Sequence, residues 1–226
     1  MKTQTLYKLG GLALIIGTVV VSITTALELL VSPYNRYGTA LSYNAPVHIA
    51  KYLGGIFLVL GITAAYLRQR ERSGRLGFAG FVLFVFGFMM TGMPYNVTEF
   101  TMDPSLSQQA AVEYLNTVQS NNYAIPLLAA PGFLMVLVGM ILFAVATLRA
   151  RVLPRWTGWL AVAGLVLGVA TNFASETGVI PHPPTWMILG MLGYGYAVFA
   201  GRTAAGAAGN EPARRHDLLT DVAPTG

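Results

Sequence analysis

PVHIAKYLGGIFLVLGITAAYL, residues 46–67, runs through RQRERSGR, residues 68–75, into LGFAGFVLFVFGFMMTGMPYNV, residues 76–97. Each apolar run is about as long as the ~20 residues a helix needs to cross the hydrocarbon core of a bilayer. The turn between them holds four Arg and one Glu. Charge of that density does not enter lipid, so the two runs are expected to fold back on one another as a helical hairpin with its turn in water. The plan recurs along the chain. Apolar runs at 9–31, 124–148, 156–177 and 185–201 bring the expected number of spans to six. The predicted fold class is therefore all-α, a polytopic membrane helix bundle.

Composition agrees with lipid as the solvent. The 226 residues are 54% hydrophobic and only 10% charged, where a soluble domain carries about a quarter charged residues. Mean hydropathy is +0.58. The length suits one bundle with short loops and leaves no room for an added soluble domain. There is no Cys, which excludes disulfides, thiolate metal sites and Cys nucleophiles. The net charge of +5 is not a nucleic-acid footprint, because the basic residues sit in short loops between apolar runs.

Those basic residues also predict topology. Arg68–Arg75 and Arg149–Arg155 hold seven Arg; with Lys2, Lys8, Arg202, Arg214 and Arg215 they place twelve of the fourteen Lys and Arg on one side. Only Arg36 and Lys51 lie opposite. The positive-inside bias then puts both termini in the cytoplasm, with a multi-pass domain over residues 1–203 in the cytoplasmic membrane. Loops 32–45, 98–123 and 178–184 face out. Lys2 and Lys8 ahead of an apolar run, followed by Thr24-Thr25-Ala26, imitate a signal peptide. The run 9–31 is long enough to span, and is expected to stay as the first helix. Trp156 and Trp159 suit an inner interfacial belt, and Gly164 with Gly168 a close helix crossing. In the outer loop, Asp103-Pro104 reads as a helix start. Leu106, Ala110, Tyr114 and Val118 then recur every four residues, predicting an amphipathic surface helix over 104–118. The tail 204–226, rich in Ala, Gly and charge, is expected to be disordered.

The segment RARVLPRWTGWL, Arg149 to Leu160, resembles a turn found in uncharacterised six-helix integral membrane proteins of actinobacteria and related bacteria. The resemblance implies the bundle and no particular activity. Arg75-Leu76-Gly77-Phe78 is similar to Arg155-Trp156-Thr157-Gly158-Trp159. Either an internal duplication about an axis along the membrane normal or low-complexity convergence accounts for it.

The opposite, outer end collects the reactive side chains. Thr24 and Glu28 are four apart; so are Asn44, His48 and Tyr52, with Lys51 beside them. Tyr95, Asn96 and Glu99 end the third run, and Asn172, Ser175 and Glu176 the fifth. Residues three or four apart share a helix face, so each helix can turn its group inward. At 1.5 Å per residue, Glu28 and Glu176 lie about 30 Å from the inner boundary, at the outer interface. Charges there are cheaper than at the bilayer centre, and a purely structural pairing of Glu28, Glu99 and Glu176 with Lys51 and Arg36 is the bland alternative.

Three chemistries fit these residues. In the leading one, a carboxyl group in an apolar pocket is held protonated and acts as a general acid. Glu28, Glu99 and Glu176 are the candidates, with His48 as base or proton relay. Tyr52, Phe88, Tyr95, Asn96, Asn172, Phe173, Trp186 and Tyr194 would bind substrate, and the rings would stabilise a developing cation. That combination suits proton-initiated chemistry on a lipophilic substrate such as an isoprenoid, in the manner of a terpene cyclase, and needs no cofactor. The second chemistry is copper: Met89 and Met93, with Met187 and Met191, form two M-x-x-x-M pairs. Thioethers suit Cu(I), with His48 or His182 completing the set; Met as a gap filler in apolar bundles competes with this. The third is haem held by His48 and His182, although His182 lies in the stiff run Pro181-His182-Pro183-Pro184. No G-x-S-x-G, H-E-x-x-H, Walker or dinucleotide motif is present. No carboxylate or Lys falls in the middle of a span, which argues against ion-coupled transport. The expectation is a membrane-embedded enzyme with an outward-facing pocket, whose partners are the bilayer and a lipophilic small molecule. Its rival is a non-enzymatic membrane protein, either a copper or haem binder or an accessory subunit of a membrane complex; assembly as a homo-oligomer or in a membrane complex is compatible with either.

Overall fold

The computed structural model describes residues 3–31, 41–100, 110, 113, 124–176 and 188–202. Among these the chain is all-helical, 94% helix with no strand. We label the helices α1 (Thr3–Val31), α2 (Leu41–Phe100), α3 (Ala124–Ala150), α4 (Arg155–Glu176) and α5 (Met191–Phe199). Three helical segments are long and apolar enough to cross a membrane: Thr3–Leu27, Ala45–Pro94 and Ala130–Ala150. Large apolar side chains along them, such as Leu60, Phe86 and Leu134, are exposed. In water such a surface would drive association; against lipid tails it is the ordinary condition of a membrane protein.

α2 is a hairpin. As one straight helix its 60 residues would extend ~90 Å and hold His48 and Asn96 ~70 Å apart. Those two side chains are instead 2.9 Å apart. The reversal falls on Gly74, with φ 57° and ψ −153°, a backbone region open essentially to Gly alone. The two arms, 41–73 and 75–100, pack against each other, with the rings of Tyr66 and Phe81 stacked at 4.6 Å between centroids. The expected eight-residue turn thus shrinks to a single residue. Arg, Gln and Glu are good helix formers, so the first arm continues helical through the basic stretch until Gly74 breaks it.

α1 packs on α2, α2 on α3, α3 on α4, and α5 closes against α1, α4 and α2. Their buried faces meet in one core that includes Leu14, Leu58, Ile62, Phe84, Phe143 and Tyr194. Helix backbones approach to contact at small residues. A methyl group on Gly139 would run into the Phe84 nitrogen, and one on Gly80 would lie 2.5 Å from the Phe143 nitrogen. The α2–α3 crossing falls at Gly80 and Gly139; Gly164 and Gly168, which the sequence marked for a close crossing, lie buried on α4.

α3 ends on Arg151, which takes positive φ (52°) and donates its N–H to the Thr147 carbonyl at 3.2 Å, a left-handed cap. Leu153 is fully buried, and α4 opens with Thr157 donating its N–H and its hydroxyl to the Pro154 carbonyl at 3.0 and 2.8 Å. The basic turns after 67 and after 148 therefore reverse the chain by different backbone devices, so their sequence likeness does not extend to turn geometry. α5 ends in a Schellman motif: Gly201 (φ 68°) donates to Val198 O at 3.3 Å and Arg202 to Ala197 O at 3.0 Å. The sixth run forms helix at 188–189, a turn at Gly190, and α5. The expected amphipathic helix over 104–118, except Ala110 and Glu113, and the tail 204–226 lie outside the described residues.

Candidate functional site

The centre of the candidate site is a hydrogen bond between the two arms of α2. His48 and Asn96 are 3% and 7% exposed, and His48 Nδ1 stands 2.9 Å from Asn96 Oδ1. Asn96 Nδ2 donates to the carbonyl of Gly92 at 2.6 Å. A backbone carbonyl only accepts, so it fixes which end of the carboxamide carries hydrogens. Asn96 Oδ1 is consequently an acceptor, and His48 Nδ1 must carry the proton it donates. When the ring is neutral, Nε2 is the basic nitrogen.

Below this pair the hairpin is filled by an aromatic ring. Phe88, Gly92 and Asn96 recur every four residues on one face of the second arm. A methyl on Gly55 would meet the Phe88 ring at 3.1 Å and the Met93 methyl at 3.4 Å. Phe84 continues the stack, its centroid 6.2 Å from that of Phe88. Tyr52 and Lys51, one turn from His48, are half-buried.

The helix registers place the other candidates by backbone position. α1 runs antiparallel to the first arm, with Gly10 against Ala64, Gly61 against Leu14 and Gly17 against Leu58. Carried upward, that register brings the backbone of Glu28 level with the start of the first arm, near His48. Glu99 ends the second arm, and Asn172, Phe173 and Glu176 end α4, at the same end of the bundle. The side chains of Glu28, Tyr95, Glu99, Asn172, Phe173 and Glu176 lie outside the described residues, as do all of His182, Trp186 and Met187.

Two placements differ from expectation. Tyr194 does not join the outer cluster. Its helix neighbour Gly195 packs on Gly11 and Ile15, and Leu14 packs on Gly61. Gly61 is thirteen residues along the first arm from His48, about 20 Å at 1.5 Å per residue. Tyr194 belongs to the core, with its ring 5.2 Å from Phe143. Counting Tyr194 among the outer rings ignored how far α5 had already descended. The methionine pair also separates: Met89 is 51% exposed on the outer surface, while Met93 turns into the hairpin toward Gly55. Met191 is buried in the core. Among the described residues no three His, Asp or Glu side chains gather in a metal-binding group.

Sequence reading singled out Asn96 without its anchor. The signal was the four-residue repeat Phe88, Gly92, Asn96, in which the glycine gives the ring room and its carbonyl orients the amide. No family model, no curated protein and no solved structure matches the chain.

Proposed function

We propose that the protein is a six-span enzyme of the bacterial inner membrane. Both termini are cytoplasmic, and an outward-facing pocket carries out acid–base chemistry on a lipophilic substrate, with isoprenoids the class to try first. The observation that supports this best is the buried His48–Asn96 hydrogen bond. It gives a titratable ring a defined proton position at the end of the bundle where the backbones of Glu28, Glu99 and Glu176 also lie. A general base needs such a fixed geometry before its pKa matters. Phe88, beneath the pair, offers an apolar floor and a ring face for a cationic intermediate. Glu28, Glu99 and Glu176 supply the acid, and Tyr52, Tyr95, Asn172, Phe173 and Trp186 complete the pocket wall.

The two arms of α2, each longer than the ~20 residues a crossing needs, and the Arg-rich turns at one end of the bundle support the six-span reading. The absence of Cys makes this directly testable. In Arg72→Cys and Ser105→Cys variants, a membrane-impermeant maleimide added to intact cells is expected to label position 105 alone; labelling at 72 instead reverses the topology. Activity is tested by incubating proteoliposomes of the protein and of His48→Gln with linear isoprenoids and with a bacterial lipid extract. Mass spectrometry should find a product that depends on His48. Identical lipid profiles with and without protein would overturn the enzyme reading.

A further inference from the structure

At the other end of the bundle, two buried polar side chains lack partners among the described residues. Gln69 is fully buried (0% exposed), and among the described residues neither its amide nitrogen nor its amide oxygen finds a hydrogen-bond partner. Tyr194 is equally buried, and among the described residues its hydroxyl makes no well-formed hydrogen bond, its approach to the Thr147 side chain falling short of full hydrogen-bond geometry. It lies beside Thr147, whose own hydroxyl hydrogen is given to the Phe143 carbonyl at 2.9 Å, leaving acceptor capacity on that oxygen. Nine-tenths or more of buried polar groups in folded proteins are satisfied, by protein or by ordered water. A carboxamide with two donors and an acceptor, all unmet, is well outside that pattern.

The two side chains are borne by elements that are tied together. Arg68, next to Gln69, donates Nη1 to the carbonyl of Val198 at 2.9 Å, and Val198 is one helical turn from Tyr194 on the same face. Ser73 and Thr147, both buried, add hydroxyl groups at this end, while the hydroxyl of buried Thr157 is given to the Pro154 carbonyl. The nearby cation, Arg68, is already engaged by the Val198 carbonyl; a lipid headgroup has no opening at two residues with no exposed surface. What fits is a small neutral molecule able to donate and accept hydrogen bonds. We infer that Gln69 and Tyr194 share an enclosed site for water, a short internal hydrogen-bonded cluster that links the hairpin α2 to α5. Buried water commonly makes about three hydrogen bonds to groups that are otherwise unsatisfied, and is costly to remove.

The inference reverses the sign expected of two substitutions. If the site is dry, Gln69→Leu and Tyr194→Phe each remove an unsatisfied polar group and raise the melting temperature. If water fills it, each lowers the melting temperature by leaving that water short of a partner. The double variant then loses less than the sum of the two, because both act on one network. Thermal unfolding in lipid nanodiscs reads all three. Rises in the single variants, or strictly additive losses, overturn the shared site. The unaltered protein gives an independent reading: a structure at a resolution that reveals solvent is expected to hold density within hydrogen-bonding distance of Gln69 Nε2 and Oε1. An empty enclosure there overturns the inference whatever the variants do.

Discussion

Individual residues decide two local features of this molecule, and each leads to a measurement. The first is the proton on His48 Nδ1, which follows from the chain Gly92 carbonyl, Asn96 carboxamide, His48 ring. Nitrogen-15 chemical shifts of the neutral ring are expected to report the Nδ1–H tautomer. Asn96→Leu removes the acceptor of a buried donor and should destabilise the protein by about 1–3 kcal/mol; an unchanged unfolding free energy would mean the bond contributes nothing. The second is Arg151, a non-glycine residue held at positive φ. Gly meets no Cβ penalty in that conformation. Arg151→Gly is therefore expected to stabilise by roughly 0.5–1 kcal/mol, somewhat less than the strain relieved, because Gly also has more freedom to lose on folding. A fall in melting temperature would show that the arginine side chain contributes more than its backbone costs.

Elements depend on close backbone approach. Without a hydrophobic drive between helices in lipid, association relies on van der Waals fit, which small residues make possible. The second arm of α2 and α3 illustrate this at Gly80 and Gly139, where each backbone occupies the space a side chain would need. Gly139→Ala would force the two helices apart at their contact, at a cost of about 1–3 kcal/mol. Loss of a thermal transition, or a lowered one, is the expected readout. Unchanged stability would mean the helices slide without penalty. The hairpin itself rests on a different glycine property. A Cβ added to Gly74 would meet nothing within 4 Å, so space is no constraint there and backbone conformation is the only reason for a glycine.

At the scale of the whole molecule, the hairpin α2 is central: α1, α3 and α5 all pack on it. Arg68 ties its turn to the C-terminal end of α5 through Val198, where a cation also complements the helix dipole. Arg68→Met keeps the apolar stem and removes the charge-assisted bond, so it should cost about 1.5–3 kcal/mol. Chemical unfolding in detergent measures it, and a loss below ~0.5 kcal/mol would class the contact with ordinary surface interactions. Arg202, over the Tyr196 ring at 5.4 Å, holds the same end of α5 from outside.

Apolar run length and the charge of the turns by themselves determined the helical character of the described residues and the presence of segments long and apolar enough to cross a membrane. Both are one-dimensional properties, because a bilayer demands continuous hydrophobic stretches and rejects charged turns. The four-residue spacing of Asn44, His48 and Tyr52 likewise marked one face of a helix before any partner was known. Only the tertiary structure decided that His48 meets Asn96, that Tyr194 sits about 20 Å away from them, and that Met89 and Met93 part company. It also brought Gln69, which no motif marked, into the core beside elements far off in sequence. The physical reason is register: helix periodicity assigns a residue to a face, but its depth and the helix it confronts depend on backbone contacts such as Gly61 with Leu14 and Gly195 with Gly11. Those contacts join positions tens to hundreds of residues apart, and no local pattern encodes them.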